Sequence, residues 1–151
     1  VPGVRLEIIG DGPYGPTLEA EVARRGLQDA VRFLGFMPGA EKVRHLQASW
    51  GVLQPSPKEG WGLTVVESSA CGTAVIASDA PGLRDSVRRD ETGLLVPYDD
   101  TAALTEAIVR LLTDASLRQR LESAGPAWAA RFQWDECGRR SIDALVGEGV
   151  A

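Results

Sequence analysis

The sequence predicts an α/β domain in which helices flank a parallel β-sheet, folded as a single doubly wound domain. Short apolar runs alternate with segments of helical periodicity over brief connections, a pattern typical of parallel sheets with right-handed crossovers. The run TAVIASD is apolar without interruption, as expected for a strand covered on both faces. The chain has 151 residues, about the length of one domain, and no repeat, low-complexity tract or linker divides it.

Five strands are predicted where β-branched and aliphatic residues cluster and a glycine or proline follows. In chain order they lie within VRLEIIG, VRFLGF, WGVLQPS, TAVIASD and GLLVP.

Helices are predicted between these strands and after the last one, from apolar residues three or four positions apart. In chain order they are PTLEAEVARRGL with Pro16 in its first turn, GAEKVRHLQAS, LTVVESSACG closed by Gly72, a helix starting near Thr101, ASLRQRLESAG ending at Gly125, and WDECGRRSIDALV. The last of these carries Ile142, Leu145 and Val146 on one stripe, which is predicted to be exposed. Trp128 and Trp134 are predicted to anchor the terminal helices.

Composition excludes several classes of function. Sixteen basic and 21 acidic residues give a net charge of −5, which argues against nucleic-acid binding because that usually requires a basic surface. No apolar run approaches the roughly 20 residues of a membrane helix, and the start lacks the pattern of a signal peptide, so no membrane contact is expected. Cys71 and Cys137 are predicted to be buried reduced thiols, which suits a cytoplasmic protein. His45, without a second ligand at metal spacing, is predicted to be an exposed helix residue.

The stretch IGDGPYGP places Gly10, Gly12 and Gly15 in the spacing G-x-G-x-x-G directly after the first strand. In dinucleotide-binding folds this spacing lets the backbone approach a pyrophosphate, and an acidic residue ends the next strand to hold the ribose. Here the next strand ends in Leu-Gly-Phe, and Pro13 removes an N–H that a phosphate would use. The glycines are therefore interpreted as a tight turn and not as an NAD site.

A second strand-to-helix connection, PSPKEGWGLTVVE, gives a stronger signal. Two glycines flank Trp61 just before a helix. At such a helix start, backbone N–H groups and the positive end of the helix dipole can bind an anion. Glu59 precedes this turn, and Glu67 lies in the second helical turn with its side chain leaning back toward the N-terminus. Since carboxylates accept hydrogen bonds from hydroxyls, the arrangement suits a nucleotide sugar, with a diphosphate between two hydroxylated groups.

Two other interpretations of the glutamates exist. Glu59 could be a charge favoured by the helix dipole, with Glu67 a solvated helix residue. The two could also form a glycosidase pair, which needs carboxyl groups about 5–9.5 Å apart. Eight wholly helical residues would span about 12 Å, so the spacing disfavours the glycosidase.

The chain resembles the retaining glycosyltransferases of the GT-B type (glycosyltransferase family 4, group 1). This large family includes sucrose synthases, bacterial mannosyltransferases and capsule or lipopolysaccharide transferases. The resemblance rests on an E-x7-E pattern with GWGL inside it, and it extends over nearly the whole chain. The segments that carry it are LEIIGDGP, VRFLGFMP, PSPKEGWGLTVVESSACGTAVIASDAPGLRDSVRRDETGLLVPYDD, LTEAIVRLLTDASLRQRLESAG and RFQWDE.

The resemblance implies that residues 1–151 are the C-terminal, donor-binding domain of a protein with two Rossmann-like domains. Glu59 would contact the transferred sugar beside the reacting carbon, and Glu67 would hold the ribose hydroxyls. Around them the loop of Gly60 and Trp61 would form the donor pocket. The backbone N–H groups of Gly62, Leu63 and Thr64 would bind the diphosphate.

The same resemblance assigns roles near the first two strands. Phe36 and Met37 would border the nucleotide base, and Gly10 and Gly12 would be turn glycines at the floor of the cleft. The implied reaction moves a sugar from a nucleoside-diphosphate sugar to an acceptor hydroxyl with retention, in polysaccharide or glycolipid synthesis. It uses no cofactor and no metal.

Two departures from the family limit this expectation. Members usually place an Arg and a Lys ahead of the strand that corresponds to VRLEIIG, where they clamp the diphosphate, and the acceptor-binding N-terminal domain is also absent. The isolated chain is therefore expected to be inactive, with helix 134–147 packing on the missing domain in the parent. A non-catalytic nucleotide-binding module and a nucleotide-sugar epimerase of related fold remain the alternatives.

Overall fold

The computed structural model describes residues 1–147. The chain divides into two compact units, Val1–Ala48 and Ser49–Ala151, called unit 1 and unit 2 below. Strands in both units pair in parallel, and helices connect them. The predicted α/β class with parallel strands and flanking helices is confirmed.

Unit 1 contains two parallel strands and two helices. In chain order these are β1 (Leu6–Ile9), α1 (Gly15–Arg24), β2 (Val31–Gly35) and α2 (Gly39–Ala48). Pro16 lies in the first turn of α1, as predicted, where its missing N–H costs no helical hydrogen bond. The register of β1 on β2 shifts at Ile9, which pairs with Gly35, and the N–H of Gly10 donates to the carbonyl of Gly35 at 2.8 Å.

Unit 2 contains a three-stranded parallel sheet in the order β3-β4-β5. The strands are β3 (Val52–Gln54), β4 (Val75–Ser78) and β5 (Gly93–Val96). The helices are α3 (Leu63–Ala70), α4 (Leu83–Ser86), α5 (Thr101–Thr113), α6 (Ala115–Ala129) and α7 (Trp134–Val146). Helix α4 is not predicted from the sequence because four residues are too few to show a helical period.

The central strand β4 is buried along its whole length, as the sequence predicts. Ile76 packs into one apolar cluster, with Leu94, Leu111 and residues of α6. Its neighbours Val75 and Ala77 pack into a second cluster with Val65 and Leu83. Because successive side chains of a strand point to opposite faces, β4 supplies the core on both sides of the sheet.

Helix α6 does not end at Gly125, so that prediction is wrong. The helix continues through Pro126 to Ala129. A β-carbon built on Gly125 would lie 2.9 Å from the Ser69 carbonyl oxygen, and α6 packs closely against α3. The glycine therefore permits a close approach of two helices and does not terminate one.

Four predictions about single side chains need correction. Cys137 is exposed and Cys71 is half-buried, so neither is the buried thiol that the sequence predicts. Trp134 is 87% exposed, so it does not anchor a terminal helix by burial. His45 is half-buried, with Nδ1 at 2.7 Å from Glu7 Oε2, because α2 packs within reach of β1 in unit 1.

Two further predictions for the C-terminal helices are confirmed. Trp128 anchors α6, since its Nε1 donates to the Ser86 carbonyl at 2.9 Å. The stripe of Ile142, Leu145 and Val146 on α7 is exposed, as predicted. Across the described residues 1–147, no helix has both the length and the apolar character needed to span a bilayer.

Candidate functional site at the start of helix α3

The carboxyl end of the unit 1 sheet gathers the four residues predicted there. Gly10, with φ of +117°, turns the chain away from β1. The next residue, Asp11, accepts a hydrogen bond from the N–H of Phe36 at 2.9 Å through Oδ2. Phe36 is well exposed and Met37 is half-buried, whereas Gly12 faces open space. This hydrogen bond therefore connects the glycine turn with the segment that follows β2.

In unit 2, helix α3 begins without a side-chain cap. Gly62 is the N-cap residue, with φ of +86° and ψ of 52°, and its carbonyl accepts from the N–H groups of Val65 and Val66 at 3.0 and 3.2 Å. The first N–H groups of a helix have no partner within the helix. Leu63 is 66% exposed and Thr64 is exposed, whereas Gly62 is buried. The start of α3 and the positive end of its dipole therefore lie at the surface.

Helix α4 and the loop before it determine the path of this turn. The N–H of Glu59 donates to the Pro81 carbonyl at 3.1 Å. A β-carbon on Gly82 would lie 2.1 Å from the Glu59 carbonyl oxygen, so only glycine fits there. Gly62 is equally constrained, because its β-carbon would meet Ser86 Oγ at 2.7 Å. The two backbone segments therefore pack directly on each other.

Trp61 packs on another aromatic side chain. Its ring meets that of Phe132 edge-on, with centroids 5.1 Å apart and planes at 74°. The indole remains 36% exposed, so one part of it contacts the fold and another part faces solvent. This mixture of burial and exposure is compatible with the predicted pocket wall.

The two glutamates have different surroundings. Glu59 is half-buried, and its Oε1 accepts from Gln54 Nε2 at 2.9 Å. The same Nε2 donates to Ser56 Oγ at 3.0 Å. Glu67 is exposed in the second turn of α3. The structure therefore places one carboxylate just before the exposed amides and the other on the helix that carries them.

A charged cluster lies at the carboxyl end of β4. Asp79 Oδ2 accepts from Arg89 Nη2 at 2.6 Å, and Asp79 Oδ1 is bonded by Arg84 Nε. The hydrogen bond from Arg84 is the main reason that the pKa of Asp79 lies below its ordinary value, and Arg89 adds to it. Two guanidinium groups therefore pair with the carboxylate that follows β4.

Several of these residues could not be identified from the sequence pattern. Gln54 and Gly82 contact Glu59 from the ends of neighbouring strands. Phe132 contacts Trp61, which is 71 positions earlier in the chain. A weak signal for Gly82 exists in the order Asp-Ala-Pro-Gly-Leu directly after a buried strand, since such a turn lies at the ligand-binding edge of a parallel sheet.

These features define an α/β protein with a helix N-terminus at the carboxyl ends of parallel strands, the position at which proteins of this class bind anionic ligands. The family described as "Glycosyl transferases group 1" matches residues 1–128. The chain belongs to this family.

One curated relative is the D-inositol 3-phosphate glycosyltransferase of Acidothermus cellulolyticus, 42% identical over 149 residues. The match covers 95% of this chain and 32% of the relative. The chain therefore spans about a third of the length of such relatives.

Solved structures give the same fold. Anabaena HepE in complex with UDP has a TM-score of 0.87 at 26% identity, over 97% of this chain and 42% of that protein. The same protein was also solved with UDP-glucose. The C-terminal domain of a glycosyl transferase group 1 family protein (LpcC) from Francisella tularensis has a TM-score of 0.69 at 28% identity, over 79% of this chain and 62% of that one. The fold is the GT-B type of Rossmann-like domain.

Proposed function

We propose that this chain is the donor-binding half of a retaining glycosyltransferase. The whole protein moves a sugar, of the hexosyl type, from a nucleoside-diphosphate sugar to an acceptor hydroxyl. The observation that carries the proposal is the uncapped, outward-facing start of α3 behind a Gly-Trp-Gly turn. It is supported by the family match and by the UDP and UDP-glucose complexes of HepE.

The diphosphate is the ligand group that fits the start of α3. The N–H groups at Gly62, Leu63 and Thr64 would donate to it, and the helix dipole would add attraction. As the bond to the sugar breaks, the leaving nucleoside diphosphate gains negative charge. Fixed N–H dipoles stabilise that charge more in the transition state than in the ground state, which accelerates the reaction.

The two carboxylates would hold the groups on either side of the diphosphate. Glu59, fixed by Gln54 at 2.9 Å, would contact the transferred sugar beside the reacting carbon, where a negative charge stabilises developing positive charge. Glu67 would accept hydrogen bonds from the ribose hydroxyls. For unit 1 by itself, we retain the proposal that Phe36 and Met37 border the base and that Gly10 and Gly12 form a turn against the ligand.

The rest of the protein is also part of the proposal. The chain spans 32% of its curated relative, and we propose that an N-terminal acceptor domain completes the enzyme. The exposed stripe of Ile142, Leu145 and Val146 on α7 would pack on that domain. The isolated chain would then bind donor weakly and transfer nothing useful. Among the described residues no disulfide joins Cys71 and Cys137, and a cytoplasmic location is proposed.

Isothermal titration calorimetry tests donor binding directly. The chain is titrated with UDP, GDP and their glucose and mannose conjugates, without added metal. We expect at least one nucleotide to bind and Glu67→Ala to weaken that binding about tenfold, the cost of one to two hydrogen bonds. Glu106→Ala, an exposed glutamate on α5, is the control that leaves binding unchanged. If no nucleotide binds, or Glu67→Ala binds as the wild type does, the donor site is wrong.

Product analysis on the full-length parent separates the proposal from the two alternatives. A transferase consumes the donor only with an acceptor and forms a new glycosidic bond. An epimerase changes the sugar of the donor with no acceptor present. A non-catalytic nucleotide-binding module leaves the donor unchanged under both conditions.

A further inference from the structure

Trp61 is the central residue of the loop before α3, and the loop itself restrains its backbone only weakly. Trp61 lies between Gly60, which faces open space, and Gly62, which has a positive φ. Glycine fixes the backbone less than any other residue does. The orientation of the Trp61–Gly62 peptide, and of the α3 amides that follow it, therefore depends on contacts from outside the loop.

One such contact comes from the connection between α6 and α7. Phe132 lies in that connection, and its ring meets Trp61 edge-on at 5.1 Å. On its other side Phe132 meets Trp128 of α6 at 4.9 Å, with the ring planes at 90°. Both geometries are the edge-to-face arrangement that aromatic rings prefer. Phe132 is thus packed between a residue of the loop and a residue of a core helix.

The chain of contacts returns to the loop. Trp128 Nε1 donates to the Ser86 carbonyl at 2.9 Å, and Ser86 Oγ lies 2.7 Å from the position that a β-carbon of Gly62 would occupy. The contacts of Trp61, Phe132, Trp128 and Ser86 therefore form a chain that ends next to Gly62. The Trp61–Gly62 peptide is held through the side chain of Trp61 on one side and through the backbone of Gly62 on the other.

We infer that Phe132 is a positioning residue for the donor site, acting through Trp61 on the N–H groups that begin α3. The inference deepens the proposed function and rests on it for the identity of the ligand. Phe132 lies two residues before α7, whose first residue is Trp134.

The test compares Phe132→Ala and Phe132→Leu with Trp134→Ala in the 151-residue chain. Trp134 is a larger aromatic two residues further on, at the start of α7, but it is exposed. Two readouts are used. The first is the backbone amide signals of Gly62, Leu63 and Thr64 in nuclear magnetic resonance spectra without ligand, and the second is the affinity for UDP and GDP.

We expect both Phe132 variants to displace the amide signals of residues 62–64 and to weaken nucleoside-diphosphate binding about tenfold, a change set by misplaced donors. Trp134→Ala leaves both unchanged. If Phe132→Ala fails to fold, Phe132→Leu decides, since it retains apolar volume and removes only the ring edges.

The two hypotheses fail in different ways. Wild-type amide signals and wild-type affinity in Phe132→Leu would overturn the positioning role while donor binding stands. A wild-type chain that binds no nucleoside diphosphate overturns the proposed function. In that case, undisplaced amide signals in the variants would overturn the inference as well, and displaced ones would support it.

Discussion

Gln54 Nε2 lies 2.9 Å from Glu59 Oε1 and 3.0 Å from Ser56 Oγ. A side-chain amide has two N–H donors, and both of these point into the loop that precedes α3. The last residue of β3 therefore fixes the carboxylate that we propose to act beside the reacting carbon. Glu59 owes its orientation to the sheet and not only to its own loop.

Gln54→Met removes this restraint while keeping a side chain of similar length. In the full-length enzyme we expect kcat to fall roughly tenfold to a hundredfold, because misplacing a reacting group has costs of this size. KM for the donor should change little, since the diphosphate contacts remain. Steady-state kinetics with the best donor measures both. Ser56→Ala, which removes only the other acceptor, is the control, and an unchanged kcat in Gln54→Met contradicts the assignment.

Gly82→Ala is expected to be the most damaging small substitution near the site. The added β-carbon would lie 2.1 Å from the Glu59 carbonyl oxygen at a residue with φ of +81°, so backbone must move. We expect at least about 3 kcal/mol of destabilisation and loss of nucleotide binding. Urea denaturation and calorimetry measure the two effects. Gly138→Ala, in the open on α7, should instead stabilise by about 0.5–1 kcal/mol. Equal behaviour of the two variants would show that the close packing is wrong.

Two adjacent serines of α3 should respond in opposite directions. Both are buried, but Ser68 Oγ donates to the Thr64 carbonyl at 2.6 Å. Among the described residues, Ser69 Oγ is the buried side-chain atom that lacks a hydrogen-bond partner. An unsatisfied buried hydroxyl costs about 1–3 kcal/mol, so Ser69→Ala should raise the free energy of unfolding by about 1 kcal/mol. Ser68→Ala should lower it by about 0.5–1.5 kcal/mol. Chemical denaturation of both variants checks this, and a destabilised Ser69→Ala would be inconsistent with the assigned packing.

The pairing of Asp79 with Arg84 and Arg89 makes a contribution to stability that depends on pH. The folded pKa of Asp79 lies below its ordinary value, so the charged form is stabilised by folding. The contribution is complete above the unfolded pKa of about 4 and is lost as pH falls through the folded pKa. We expect Asp79→Asn to be less stable than the wild type at pH 7 by about 1 kcal/mol, allowing for solvent screening. The difference should shrink as pH falls below about 4, as thermal melts across pH will show. A difference that does not change between pH 7 and the acid limit of folding contradicts this account.

Most of the fold could be predicted because local patterns encode it. The apolar run of β4 and the helical spacing of α5 were sufficient by themselves. The end of α6 could not be predicted, because Gly125 reads as a terminator in sequence and is explained only by the backbone of Ser69. The predictions that Cys137 and Trp134 are buried were also wrong, since residue type alone does not say which helix face remains uncovered.

The candidate site was also only partly predictable from the sequence. The start of α3 was predictable, because glycines before a helical period directly indicate exposed amides. The contacts that hold it in place were not predictable. Gln54 binds Glu59 from the end of a strand, and Phe132 packs on Trp61 from the connection between α6 and α7. Such contacts depend on strand order and helix packing, and no local pattern specifies either one.

The alternation of side chains along β4 has a mechanical consequence for unit 2. Ile76 belongs to one apolar layer and Val75 to the other, so neither layer can loosen without shifting the strand they share. Damage to one face should therefore weaken the opposite face too, and the unit should melt in one step with β4 as the last segment to exchange its amide protons.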